Sequence, residues 1–159
     1  EQLITRQLYT WQPGELARLS VAFARSGVPE AKELLRRLLW RVDWLLPHLR
    51  AAEMVSTLEA YALLHVREHD PKRPDLYHTA APHLTSGSGG LSAGEVSRVA
   101  AVYKQLNVRE AALFEALGAR LVDLLQAAPR RAAEKQAKRQ AKGQVERRVE
   151  GGNGTAGET

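Results

Sequence analysis

At 159 residues with 44% apolar content, the chain has one-domain length and enough hydrophobic material for a core, and its lack of cysteine excludes disulfides and thiolate metal sites. No run of 18 apolar residues occurs, so no segment is a candidate membrane span and no membrane partner is expected. The net charge of +5 is unevenly held: residues 1–129 carry 15 Lys/Arg against 14 Asp/Glu and residues 130–150 carry 8 against 3, which points the basic segment at a polyanion.

The chain opens on Glu1 rather than Met, as an excised piece or a mature form cleared of its leader would. Residues 1–8 hold Leu3, Ile4 and Leu8 and read as the last turns of a preceding repeat helix. The next stretch, Trp11–Gly27, is the pattern on which the rest is built. Pro13 suits a first helical position, where its missing N–H costs nothing. Leu16, Leu19, Ala22 and Phe23 follow Glu15 at a helical period. Gly27 ends the helix, since glycine tolerates the left-handed conformation found there.

This pattern returns at Glu53 and Glu95, offsets of 38 and 80 from Glu15. Phe23, Tyr61 and Tyr103 all fall eight residues after the glutamate, and Gly27, His65 and Asn107 fall four residues later still. Ser92 and Glu95 form a capping box. Gln12 and Arg50 occupy the equivalent cap positions as weaker cap residues.

Each such helix is followed by a second. In the first copy it runs Glu30–Leu46, with Leu34, Leu35, Leu38, Leu39, Val42, Leu45 and Leu46 on its apolar side and Lys32, Arg36, Arg37 and Arg41 on its polar side, and Pro47 stops it. Trp40 and Trp44 are expected to be buried between repeats, with base stacking as the alternative. In the middle copy a longer loop precedes a short helix over about Asp75–Leu84 containing Pro82, and Thr85–Gly90 reads as a flexible linker. In the third, Leu113, Phe114, Leu117, Leu121, Leu124 and Leu125 match the first copy's Leu34, Leu35, Leu38, Val42, Leu45 and Leu46 at an offset of 79.

The expected architecture is therefore all-α: an α-solenoid of two to three stacked helix-turn-helix repeats of about 38–42 residues (9–48, 49–90 and 91–127), followed by a basic tail at 128–150 that is helical or disordered. Residues 151–159 read as disordered. The tail carries Arg130, Arg131, Lys135, Lys138, Arg139, Lys142, Arg147 and Arg148, with a thin stripe of Ala133, Ala137, Ala141, Val145 and Val149. It can order against phosphates or remain a solvated charged segment.

Catalytic signals are weak. His65, Glu68 and His69 match the His-x-x-Glu-His pattern of inverted zinc peptidases. The repeat frame nevertheless makes His65 a helix end, and Asp70-Pro71 follows at once, so no metal site is assigned, even with His78 and His83 nearby. No strand-borne phosphate loop and no nucleophile paired with a base are evident. The expectation is a protein that is not an enzyme, with no cofactor and no small-molecule substrate.

The segment Pro13–Gly27, followed by Leu34, Leu35, Arg36, Arg37, Leu38 and Leu39, resembles the octotricopeptide-type repeats of organellar RNA-binding proteins and the helical repeats of mitochondrial proteins that carry a RAP domain. The resemblance covers about residues 9–126. It implies a non-catalytic RNA-binding or RNA-associated component of a mitochondrial or other organellar ribonucleoprotein, such as a mitoribosome or an RNA processing or editing complex. Its RNA partner would be rRNA or mRNA, contacted alongside other protein subunits. On that reading the tail cations from Arg130 to Arg148, with Lys32, Arg36, Arg37 and Arg41, grip phosphates. The alternative is a protein–protein scaffold subunit with no direct RNA contact.

Overall fold

The computed structural model describes residues 11–67 and 74–129, and all regular structure among them is helical. Its contacts divide the chain into a unit ending at Leu121 and a second beginning at Val122. The first unit holds α1 (Pro13–Arg25), α2 (Ala31–Leu45), a 3₁₀ turn (Leu46–His48), α3 (Ala51–Leu63), α4 (Leu76–Gly87), a second 3₁₀ turn (Ser88–Gly90) and α5 (Ala93–Gln105). A sixth helix, α6, covers residues 111–129, and of the second unit only its residues 122–129 are described. Residues 1–8, most of the loop between α3 and α4, and the tail from residue 130 onward fall outside the described residues.

Three glutamates start three helices in the same way. The Glu15 carboxylate accepts the Gln12 amide at 2.9 Å, Glu53 accepts that of Arg50 at 3.0 Å, and Glu95 accepts that of Ser92 at 2.7 Å. In the last case the exchange is reciprocal, the Glu95 amide reaching Ser92 Oγ at 3.4 Å. Each bond satisfies an amide that a helix start would otherwise leave open. The carboxylate is the element all three share, which is why poor caps such as Gln12 and Arg50 suffice.

The helix ends agree equally well. Gly27, His65 and Asn107 have φ of 70°, 50° and 54°. After His65 and Asn107 the chain closes identically, Val66 N–H donating to Tyr61 O and Val108 N–H to Tyr103 O at 2.9 and 3.0 Å. These are the long bonds of a Schellman ending, with a buried valine just past the cap.

The helices bury a common core. α1 packs along α3 and α3 along α5, while α2 packs against α1 and α4, and α4 against α3. Leu16, Leu35, Leu38, Val42, Leu58, Tyr61, Leu76, Tyr77, Leu84 and Tyr103 are all buried in it. Two hydroxyls tie helices together: Tyr61 donates to Leu35 O at 3.1 Å and Tyr103 to Tyr77 O at 2.7 Å. Burial drives all three core phenols, Tyr61, Tyr77 and Tyr103, well above the usual tyrosine range.

Thr85–Gly90 departs from the sequence expectation. Instead of a flexible linker, it supplies the last turn of α4 and the 3₁₀ turn after it. The Thr85 hydroxyl donates to Ala81 O at 2.8 Å and the Ser86 hydroxyl to His83 O at 3.0 Å, so the polar side chains reinforce the helix rather than break it. The start of α4 is fixed by Asp75, whose carboxylate accepts the Tyr77 and His78 amides, each at 3.1 Å, and pairs with Arg67 at 2.6 Å.

The apolar face of α6 departs as well. Leu113 and Leu117 are buried, but Phe114, Leu121 and Leu125 are exposed, unlike their counterparts Leu35, Val42 and Leu46. Leu35 and Val42 lie on α2 and Leu46 in the 3₁₀ turn after it, and both of these elements pack against α4.

Candidate nucleic-acid interface

The outward side of α2 is the most chemically distinctive surface of the described chain. Lys32, Arg36, Trp40 and Trp44 on α2, and His48 in the 3₁₀ turn that follows, succeed one another at intervals of four, and all five are exposed. Four residues make slightly more than one helical turn, so such a series forms a continuous ridge. The adjoining series of Ala31, Leu35, Leu38, Leu39, Val42 and Leu45 is buried and anchors the helix. Burial of that stripe is what obliges the ridge to face outward.

Two residues sit differently from the sequence expectation. Trp40 and Trp44 are 42% and 62% exposed rather than buried. Arg41, expected on the polar side, is only 8% exposed, its guanidinium carbon 4.5 Å from the centroid of the Trp44 ring. The reason is angular: at about 100° per residue Arg41 lies about 40° from Leu45 and about 60° from Leu38, closer to the apolar stripe than to Arg36. His48 meets Trp44 edge-on, with ring centroids 6.4 Å apart. Trp44 thus has a cation over its ring and an imidazole ring near by at a steep angle, contacts that orient it.

Lys32, Arg36 and Arg37 are exposed, as the polar side requires. Arg36 and Arg37 both approach Glu33, at 3.9 and 3.2 Å. Pairs this exposed are worth little in water, and phosphate can displace them. The eight tail cations, Arg130 to Arg148, lie outside the described residues, as do Glu68 and His69 of the zinc-like pattern. His65, the first residue of that pattern, occupies the left-handed end of α3.

A second surface crosses α1, α3 and α5. A groove of about 340 Å³ is walled by Val21, Arg25, Ser56, Glu59, Leu63 and Arg98. Its charges are mixed, and Arg98 is already paired with Glu59 at 2.9 Å. These positions were missed from sequence, although the repeat frame held the signal: Arg18, Ser56 and Arg98 share one register position, and Arg25, Leu63 and Gln105 another, yet their chemistry does not repeat. The groove offers no unopposed cation row and no aromatic platform, so the α2 ridge is the better candidate.

Comparison with protein-family models, with curated proteins and with solved structures returns no match.

Proposed function

We propose that the chain is a non-catalytic, RNA-associated helical-repeat component of an organellar, mitochondrial ribonucleoprotein. The observation that carries the reading is the α2 ridge, where exposed Lys32, Arg36 and Arg37 adjoin exposed Trp40 and Trp44. Cations beside aromatic rings are the combination that holds nucleic acid, through phosphate neutralisation and base stacking. The resemblance of Pro13–Leu39 to octotricopeptide-type repeats supports the organellar setting. Three matching helix starts and two matching tyrosine bonds support an α-solenoid of helix pairs, in which α1, α3 and α5 form one layer and α2 and α4 the other.

The test is RNA affinity as a function of salt, in the full chain and after deletion of 130–150. On this reading affinity falls steeply with salt, and the deletion removes most of it. Undiminished affinity in the deletion at low salt rejects the tail as the grip. A second reading, a scaffold subunit without direct RNA contact, is favoured by exposed Phe114, Leu121, Val122 and Leu125 on α6. Its signature is a stoichiometric protein partner that survives nuclease treatment, with no RNA affinity in the isolated chain.

A further inference from the structure

We infer that the α2 ridge is a stacking site for unpaired bases of an RNA strand, with Trp44 as its central platform. The inference rests on the RNA reading above and adds which form of RNA is bound and where its bases go.

Tryptophan is seldom left in water, because its ring carries one of the largest apolar areas of any side chain. Trp44 is nonetheless 62% exposed, while Arg41 lies over its ring and is itself buried. A ring backed by a buried guanidinium is already oriented, so a base adding to it need not first order the platform. Base, indole and guanidinium then form one stack, with the cation reinforcing the attraction.

Packing does not dictate the ridge, because the helix that matches α2 lacks it. At the offset of 79 that aligns α6 with α2, Lys32, Arg36, Trp40, Trp44 and His48 correspond to Ala111, Glu115, Ala119, Asp123 and Ala127. The scaffold positions repeat, whereas the ridge is special to α2. Its charge also suits a polyanion: exposed Arg36 and Arg37 lie within about two turns of the tryptophans, exposed Lys32 lies just over two turns before Trp40, and Glu33 is the acidic residue that Arg36 and Arg37 share.

Spacing selects an unpaired strand. Trp40 and Trp44 are offset by about 6 Å along the helix axis. Successive bases of a duplex strand are about 3.4 Å apart and inaccessible on both faces. Only a strand with its bases unstacked can lay one on each ring. Tryptophan and arginine also occur at protein interfaces, but the three exposed cations Lys32, Arg36 and Arg37 leading into the tryptophans favour a polyanion over a protein partner.

The test uses the full chain and a labelled uridine oligomer of about 12 nucleotides, within the range one such site spans. The same oligomer paired with its complement and a ribose-phosphate strand lacking bases serve as controls. The expected result is that Trp44→Leu weakens binding of the single strand by about tenfold. Trp44→Phe retains most of the affinity, and binding of the base-free strand is weak and equal in wild type and Trp44→Leu. Exposure of Trp44 makes both variants compatible with folding, which a melting curve verifies. Single-strand binding unchanged in Trp44→Leu, or duplex bound as tightly as single strand, overturns the stacking site while leaving the RNA reading intact. Absence of affinity for every RNA probe at low salt overturns both. Loss of a stoichiometric protein partner in Trp44→Leu, with RNA binding unchanged, assigns the ridge to protein docking instead.

Discussion

The Tyr103 hydroxyl donates to the backbone carbonyl of Tyr77 at 2.7 Å across 26 residues of sequence, and Tyr61 makes the same bond to Leu35 across the same 26 residues. The two bonds are related by a shift of 42 residues at both ends. One joins α5 to α4 and the other joins α3 to α2. A helix carbonyl has two lone pairs, so it can serve its own helix and still accept the phenol.

The three core tyrosines should therefore respond differently to loss of the hydroxyl. Tyr61→Phe and Tyr103→Phe each lose one buried bond, with an expected cost of about 1 kcal/mol. Tyr77 is also buried, but its hydroxyl finds no hydrogen-bond partner among the described residues. Tyr77→Phe should be neutral or slightly stabilising, and chemical denaturation of the three variants separates the cases.

High pH should destabilise the fold. All three phenols are raised by burial. A raised folded value means that the neutral form is favoured in the folded state. This contribution is complete below the unfolded value of about 10 and is lost as pH rises toward the folded value. Tyrosinate absorbance should rise together with loss of helical circular dichroism, rather than before it.

Low pH acts through the caps. The Glu53 carboxyl is held below its ordinary range chiefly by the Arg50 side chain, and that of Glu95 by the Ser92 amide. A lowered folded value gives stability that is present above about pH 4.5 and disappears as pH falls through the folded value. Glu95→Gln should flatten this acid limb, and thermal melts between about pH 3 and 6 measure it.

Left-handed positions give a further pair of opposite outcomes. His65 adopts φ of 50° without the freedom of glycine, so His65→Gly should stabilise by about 0.5–1 kcal/mol. Gly27→Ala, at φ of 70°, should cost about 1 kcal/mol, although a Cβ there would meet no neighbouring atom. Denaturant midpoints distinguish the two.

Asp75→Ala should be among the more damaging surface-near substitutions. It removes the acceptor of two α4 amides and the partner of Arg67. An expected loss of about 1–2 kcal/mol follows from the cap alone. Asp75→Asn, which can still accept the amides, should recover most of it.

Much of the helical frame was legible from sequence because its signals are local. A glutamate at the fourth position, an aromatic eight residues on and a left-handed-tolerant residue four beyond that mark start, core and end of α1, α3 and α5 without reference to anything distant. Features that depend on neighbours were harder to read. Whether Trp40 and Trp44 are covered depends on what packs against α2, and the same applies to Phe114 and Leu121 on α6. Arg41 escaped for a subtler reason, since charge assigns it to the polar side while its angle places it beside Leu38 and Leu45. The run Thr85–Gly90 carries linker composition, yet two hydroxyls bonding back to helix carbonyls keep it helical. The ridge itself was visible as a series of fours at 32, 36, 40, 44 and 48, although attention to charge alone divides it into arginines and tryptophans.

A series of fours on an α-helix does not run straight. Each step overshoots a full turn by about 40°, so from Lys32 to Trp44 the ridge climbs about 18 Å while turning about 120° around α2. Whatever follows all four side chains must coil about the helix as it advances, which a limp polymer does readily and a stiff rod cannot.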